Sequence, residues 1–154
     1  MSLPDLEQYL REFRAPFSTL SHGVAFRATE VAASAGIPCR QMAKPVLVRI
    51  DGTLAMAVVP ADERVNLARL RELTDAGSVV LAGEGEFADR FPECEPGAMP
   101  PFGNLYGMAL YVDQGLAADG SLCFNAGSHT DLLRMRFADF ERLANPCVVD
   151  LAEH

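Results

Sequence analysis

Lysine is almost missing from this sequence: of thirteen basic residues, twelve are arginine and one is Lys44. Basic charge as a whole is scarce, and 21 acidic residues set the formal net charge at −8. That excludes tight, non-specific binding to nucleic acid, which needs clustered Lys and Arg against the phosphates. A nucleic-acid substrate would have to be held by a local basic patch, a small specific group or a partner protein. Long apolar runs are missing too. None nears the ~18 residues that span a bilayer. The start, Met1-Ser2-Leu3-Pro4-Asp5-Leu6-Glu7, has neither the basic region nor the apolar stretch of a signal peptide. A cytoplasmic protein without membrane attachment is expected. Paired cysteines are also missing. Cys39, Cys94, Cys123 and Cys147 form no Cys-x-x-Cys and no compact cluster with histidine, which excludes the usual structural zinc site. Free thiols, no metal and no cofactor are the expectation. There is no glycine-rich phosphate loop in a βαβ series.

What remains is an ordinary globular composition, 49% apolar and 22% charged, sized for one domain over residues 1–154. Leu6, Tyr9, Leu10 and Phe13 share one face of a helix over residues 4–14, which Pro16 ends. Residues 17–23 read as a short strand. Thr29 is the expected N-cap, with Glu30 in the first turn, of a helix stopped by Gly36 and Pro38. That helix is rich in small residues, suited to packing on a strand or lining a small pocket. Apolar runs at 42–50 and 54–60 flank Asp51-Gly52, a strong hairpin signal. Asn66 is the expected cap of a helix ended by Gly77. A strand at 78–82 and an acidic helix at 84–91 follow. Residues 92–107 carry four prolines and three glycines, which excludes a regular helix or central strand. Met99, Phe102, Leu105 and Tyr106 make this stretch a partly apolar loop suited to shaping a pocket. Strands are expected at 108–112, 121–125 and 132–137, a helix at 139–144 and a last strand at 147–151. The fold class is therefore α+β: a single domain with a mixed, mostly antiparallel, barrel-like sheet core flanked by short helices.

The lone lysine opens the first apolar run, in Ala43-Lys44-Pro45-Val46. An ammonium is a compact charge on a flexible stem whose pKa moves on burial; a guanidinium is neither compact nor easily shifted. A single lysine at the mouth of a core strand is thus a candidate functional group, although such a lysine can also snorkel to solvent. No motif places a base beside Ser128, so a Ser-His-Asp or Cys-His nucleophile is not expected.

Three stretches together carry a family resemblance. Ala43-Lys44 before a hairpin resembles the lysine motif of the YbaK/ProX family. Gly97-Ala98-Met99-Pro100-Pro101-Phe102-Gly103 is similar to its G-x-x-x-P loop, with Tyr111-Val112-Asp113 following. Asn125-Ala126-Gly127-Ser128-His129 resembles the small-residue segment that completes its site. The resemblance spans roughly residues 15–150. It implies an aminoacyl-tRNA deacylase, found free-standing or as the editing insertion of bacterial prolyl-tRNA synthetases. The implied reaction is hydrolysis of the ester joining a wrong amino acid to the tRNA 3′ end. The resemblance implies no metal and no covalent intermediate, and it gives the substrate's own terminal ribose hydroxyl a part.

The residues allow that chemistry to be drawn. Backbone N–H groups of Gly97 and Ala98 could face the oxyanion of the tetrahedral intermediate. Lys44 could anchor the substrate and stabilise charge, or help orient water. His129, Ser128, Gly127, Met99, Pro101, Phe102 and Pro45 are the candidate substrate-binding residues, with core packing the alternative for Met99, Phe102 and Tyr106. His22 has a similar family echo, with a structural role favoured. A second, smaller pocket is needed where one methylene separates substrates by only ~1–3 kcal/mol; hence a small amino acid such as alanine or serine, on tRNA-Pro or another tRNA. Pro45 departs from the polar residue common after the family's lysine. The partners implied are the aminoacyl-tRNA 3′ end and, for tRNA affinity, an aminoacyl-tRNA synthetase; the oligomeric state stays open. A non-catalytic module binding aminoacyl-adenosine or a synthetase is the alternative, and a hydrolase of free small esters a third.

Overall fold

The hairpin signalled by Asp51-Gly52 is the centre of the structure. In this computed structural model, which describes residues 3–21, 27–95 and 97–153, β2 (Ala43–Ile50) pairs antiparallel with β3 (Thr53–Pro60) along its whole length. Asp51 and Gly52 have φ of 49° and 85°, the two-residue turn whose twist matches that of the strands. Asp51 also accepts hydrogen bonds from the backbone N–H of Gly77 and Ser78, which ties the next strand to the hairpin tip.

Both faces of the hairpin are covered, which explains its nearly continuous apolar sequence. Ala43, Leu47, Leu54, Met56 and Val58 face the main core with Phe102, Phe124, Leu133 and Phe140. Val48, Ala55, Ala57 and Val59 face a second cluster with Leu70, Val65 and Leu151. Leu70 belongs to α3 (Leu67–Thr74), whose Asn66 cap accepts from the Arg69 N–H at 3.0 Å as expected.

The hairpin extends into a five-stranded mixed sheet. Its order is β5 (Val79–Leu81), β2, β3, β6 (Ala109–Asp113) and β9 (Cys147–Val149). The β3–β6 and β6–β9 pairs are parallel. A three-stranded antiparallel sheet has the order β1 (Phe17–Ser21), β8 (Asp131–Arg136), β7 (Ser121–Asn125). A bridge between Met42 and Cys123 joins the two sheets. A small antiparallel pair, β4 (Arg64–Val65) with β10 (Ala152–Glu153), had no sequence signal. The α+β class with a mostly antiparallel sheet stands. Among the described residues, no helix is long and apolar enough to cross a membrane.

Helix ends differ from the sequence reading in instructive ways. α1 (Leu3–Glu12) buries Leu6 and Leu10, but Phe13 falls past its end and is 49% exposed. α2 (Ala28–Ala35) is capped at Arg27, not Thr29. The Glu30 carboxylate accepts the Arg27 N–H at 3.3 Å, so the reciprocal half of a capping box sets the start. The acidic segment splits into α4 (Glu84–Phe87) and a 3₁₀ turn at Ala88–Arg90. α5 (Phe137–Ala144) begins two residues before the expected start, straight from β8.

Asp113, at the end of β6, is 1% exposed. Its carboxylate accepts from the N–H groups of Leu151, Ala152 and Gly115 at 2.9–3.0 Å. Asp113→Ala would leave buried donors unsatisfied and is expected to lower unfolding stability by about 3 kcal/mol, read as the midpoint shift in urea denaturation at unchanged slope.

Candidate functional site

Side chains alternate along β2, so Lys44 shares a face with Val46 and Val48. That face is sealed by α3 further along and opens at the Lys44 end. The sealing explains the lysine's half-burial, and the opening gives its ammonium somewhere to go. Nζ donates to the backbone carbonyl of Glu63 at 2.5 Å. Burial pushes the Lys44 pKa below its ordinary 10.5; Arg64 adds to the effect, while Asp62 and Glu63 oppose it.

Lys44 stands on a cleft of about 520 Å³. Ala43 and Pro45 flank it on β2, and Ala61, Asp62, Glu63 and Arg64 come from the segment after β3. Arg27, Ala28 and Thr29, at the start of α2, form another wall, and Gly97 and Asn125 complete it. The small-residue helix thus does line a pocket. A second cavity of about 430 Å³ lies against the same lysine, toward α3 and β10.

The proline-rich loop and the Gly127 segment are hydrogen-bonded together. Glu95 N–H donates to the Gly127 carbonyl at 2.8 Å, and Gly127 N–H to the Ala98 carbonyl at 2.9 Å. The His129 N–H donates to the Glu95 carboxylate at 3.4 Å. Gly97 has φ +80°, and a Cβ built there would lie 3.7 Å from Cε1 of His129. His129 is therefore a buried residue (5% exposed) behind the glycine loop, while Gly97 itself borders the cleft.

Other candidates have different surroundings. The Ala98 N–H donates to the Glu95 carbonyl at 3.0 Å, so the turn already uses it. Ser128 Oγ donates to Asp131 at 2.7 Å and accepts from the Asp131 N–H, the work of a local turn. Met99, Pro101 and Phe102 are buried away from the cleft lining. Phe102 packs edge-on against Tyr9, Phe124 and Phe140, so it holds the loop down from inside. Tyr106 is half-buried against Phe91. His22 lies outside the described residues.

Two groups at the cleft are not among the candidate side chains. The first is Asp62-Glu63-Arg64. A two-residue turn pairs Ala43 with Pro60, so whatever follows Pro60 must arrive beside Lys44; the hairpin register was the available signal. The second is Asn125, the last residue of β7. It is 6% exposed, and its Oδ1 has no hydrogen-bond partner among the described residues. A buried amide oxygen left in that state costs about 1–3 kcal/mol. The family resemblance includes it in the segment 125–129 but gives its side chain no role.

The sequence matches the aminoacyl-tRNA editing domain family over residues 22–143. The chain belongs to that family. The YbaK/ProX resemblance carried by the lysine and the two glycine segments is therefore borne out. No curated protein matches significantly. Among solved structures, a hypothetical protein superposes with a TM-score of 0.85 at 22% identity, covering 96% of this chain and 99% of its own. A candidate trans-editing enzyme for prolyl tRNA synthetase superposes with a TM-score of 0.83 at 20% identity, covering 99% of this chain and 97% of its own. These likenesses show that the editing domain has the fold of both.

Proposed function

We propose that this editing domain is a free-standing trans-editing hydrolase. It deacylates tRNA mischarged with a small amino acid such as alanine or serine, with tRNA-Pro the first candidate tRNA. The observation that carries the reading is the convergence of half-buried Lys44 and Gly97 on one cleft. A volume of about 520 Å³ falls in the range that encloses small ligands, enough for an aminoacyl group with part of its terminal nucleoside.

In this mechanism water adds to the ester carbonyl carbon. The carbonyl oxygen takes up negative charge, and the bond to the ribose oxygen then breaks. The proton lost by the water ends on that ribose oxygen, and the neighbouring ribose hydroxyl can relay it. No strong protein base is needed, because the ester is already activated. Lys44 supplies positive charge to the carbonyl side. Gly97 supplies the loop N–H for the oxyanion, since the Ala98 N–H is already engaged. Arg27 and Arg64, both exposed at the cleft, together with Lys44 outnumber the Asp62 and Glu63 carboxylates there and give it surplus positive charge for the phosphates of the 3′ end. They answer how a chain of net charge −8 could hold tRNA; a synthetase would supply further affinity.

The decisive measurement is deacylation of a panel of mischarged tRNAs by the purified protein. Hydrolysis of one small-amino-acid ester well above the spontaneous rate is expected, with the correctly charged prolyl ester spared. Tight binding across the panel with no hydrolysis would favour a non-catalytic module. The engaged Ala98 N–H is the observation that speaks for that second reading. Equal turnover of simple amino-acid esters would point instead to a general small-ester hydrolase.

A further inference from the structure

We propose that Asn125 is the residue that receives the substrate's α-ammonium group, its buried Oδ1 accepting that hydrogen bond. The assignment rests on the aminoacyl-ester reading of the cleft and names a contact within it.

Asn125 ends β7, beside Ala126 and Gly127, and borders the cleft with Gly97 and Lys44. Its side chain is more than nine-tenths buried, and Oδ1 is unpartnered among the described residues. An apolar side chain of similar size would be the more stable choice at such a place. A retained orphan acceptor marks a position where a donor arrives with the ligand. The remaining polar side chains of the cleft are differently suited. Lys44, Arg27 and Arg64 bring only donors. Asp62 is exposed. Thr29 is exposed, in the first turn of α2.

An aminoacyl ester carries its strongest donor, the α-ammonium, one carbon from the reacting carbonyl. Gly97 is the loop residue assigned to that carbonyl's oxyanion. The strand end bearing Asn125 runs into the segment that is hydrogen-bonded to the Gly97 loop. An acceptor there is correctly placed for the group next to the carbonyl. Its neutrality matters as well. A carboxylate would neutralise the ammonium, weaken its electron withdrawal from the ester and attract Lys44 away from the substrate. An amide oxygen orients the ammonium and leaves its inductive effect intact.

The test uses two stable probes, 3′-alanylamino-3′-deoxyadenosine and its N-acetyl derivative, with binding measured by calorimetry. Wild type is expected to prefer the free amine. Asn125→Ala should weaken the free-amine probe roughly ten- to hundredfold, the worth of a hydrogen bond from a charged donor, and leave the acetylated probe unchanged. Its melting temperature should hold or rise, because the orphan acceptor is gone. Asn125→Asp keeps an acceptor in place and should keep the free-amine preference; if Asn125→Ala does not fold, loss of that preference in Asn125→Asp decides against the assignment. Equal weakening of both probes by Asn125→Ala, or weakening of neither, overturns it. Wild type that binds the amine probe selectively yet hydrolyses no mischarged tRNA defeats the hydrolase reading, while the binding ratios still decide the role of Asn125. Wild type that binds neither probe overturns both.

Discussion

Lys44→Ala is expected to lower deacylation of the preferred mischarged tRNA at least about 100-fold, the usual effect of removing one charge-stabilising donor, with the fold intact. The loss should fall mainly on kcat, because the ammonium meets its full partner charge only in the tetrahedral intermediate. Stability should move the other way or not at all. Burial lowers the Lys44 pKa in the folded state relative to 10.5. The charged form is thus disfavoured by folding. That penalty is complete at pH below the folded pKa and fades as pH rises from there toward the unfolded value. Near neutrality Lys44→Met should therefore melt no lower than wild type while losing activity. The ratio of wild-type to Lys44→Ala rates should fall as pH climbs through the lowered lysine pKa, below 10.5. A ratio flat through that range, or undiminished hydrolysis by Lys44→Ala, would remove the lysine from the mechanism.

The second large effect belongs to Gly97→Ala. The residue has φ +80°, a conformation that costs an L-residue about 1–2 kcal/mol. The added methyl itself has room, with His129 Cε1 at ordinary contact distance. The damage is therefore conformational: the loop relaxes toward negative φ and turns its amide away from the oxyanion. Displacement of that kind is expected to cost roughly tenfold to a hundredfold in kcat, with little change in KM. Urea denaturation should show a loss of about 1–2 kcal/mol. Single-turnover kinetics separates the two expectations. Loss of stability with kcat intact would mean that Gly97 shapes the loop without serving the chemistry.

Much of this was legible before the fold was seen, and the reasons are local. Asp51-Gly52 dictates a turn through its own backbone preference, and the turn dictates the β2–β3 register. The prolines around Gly97 forbid regular structure whatever their surroundings. Lys44 stands out by being alone. What escaped depends on tertiary placement. Phe102 and Met99 read as pocket walls because an apolar residue in a loop must face something; only the packed structure shows that both belong to the main core, Phe102 against Phe124 and Phe140. Ser128 was weighed as a possible ligand of the substrate, but its hydroxyl completes a turn with Asp131. Asn125 stood at the head of a recognised segment with no sign of its own role, because an orphan acceptor exists only once its neighbours have closed around it. The parallel β3–β6 and β6–β9 pairings escaped for the same reason: long connections leave strand direction open.

The pairing of β1 with β8 has a consequence for how the protein comes into being. Phe17 is matched with Met135, so this ladder joins two segments far apart in the sequence. The α2 wall of the cleft likewise packs on Cys123 and Leu132, again residues far along the sequence from it. Without those contacts the lysine and the glycine loop have no enclosed site between them. The cleft is therefore a product of long-range pairing: its walls close only after segments far apart in the sequence have met.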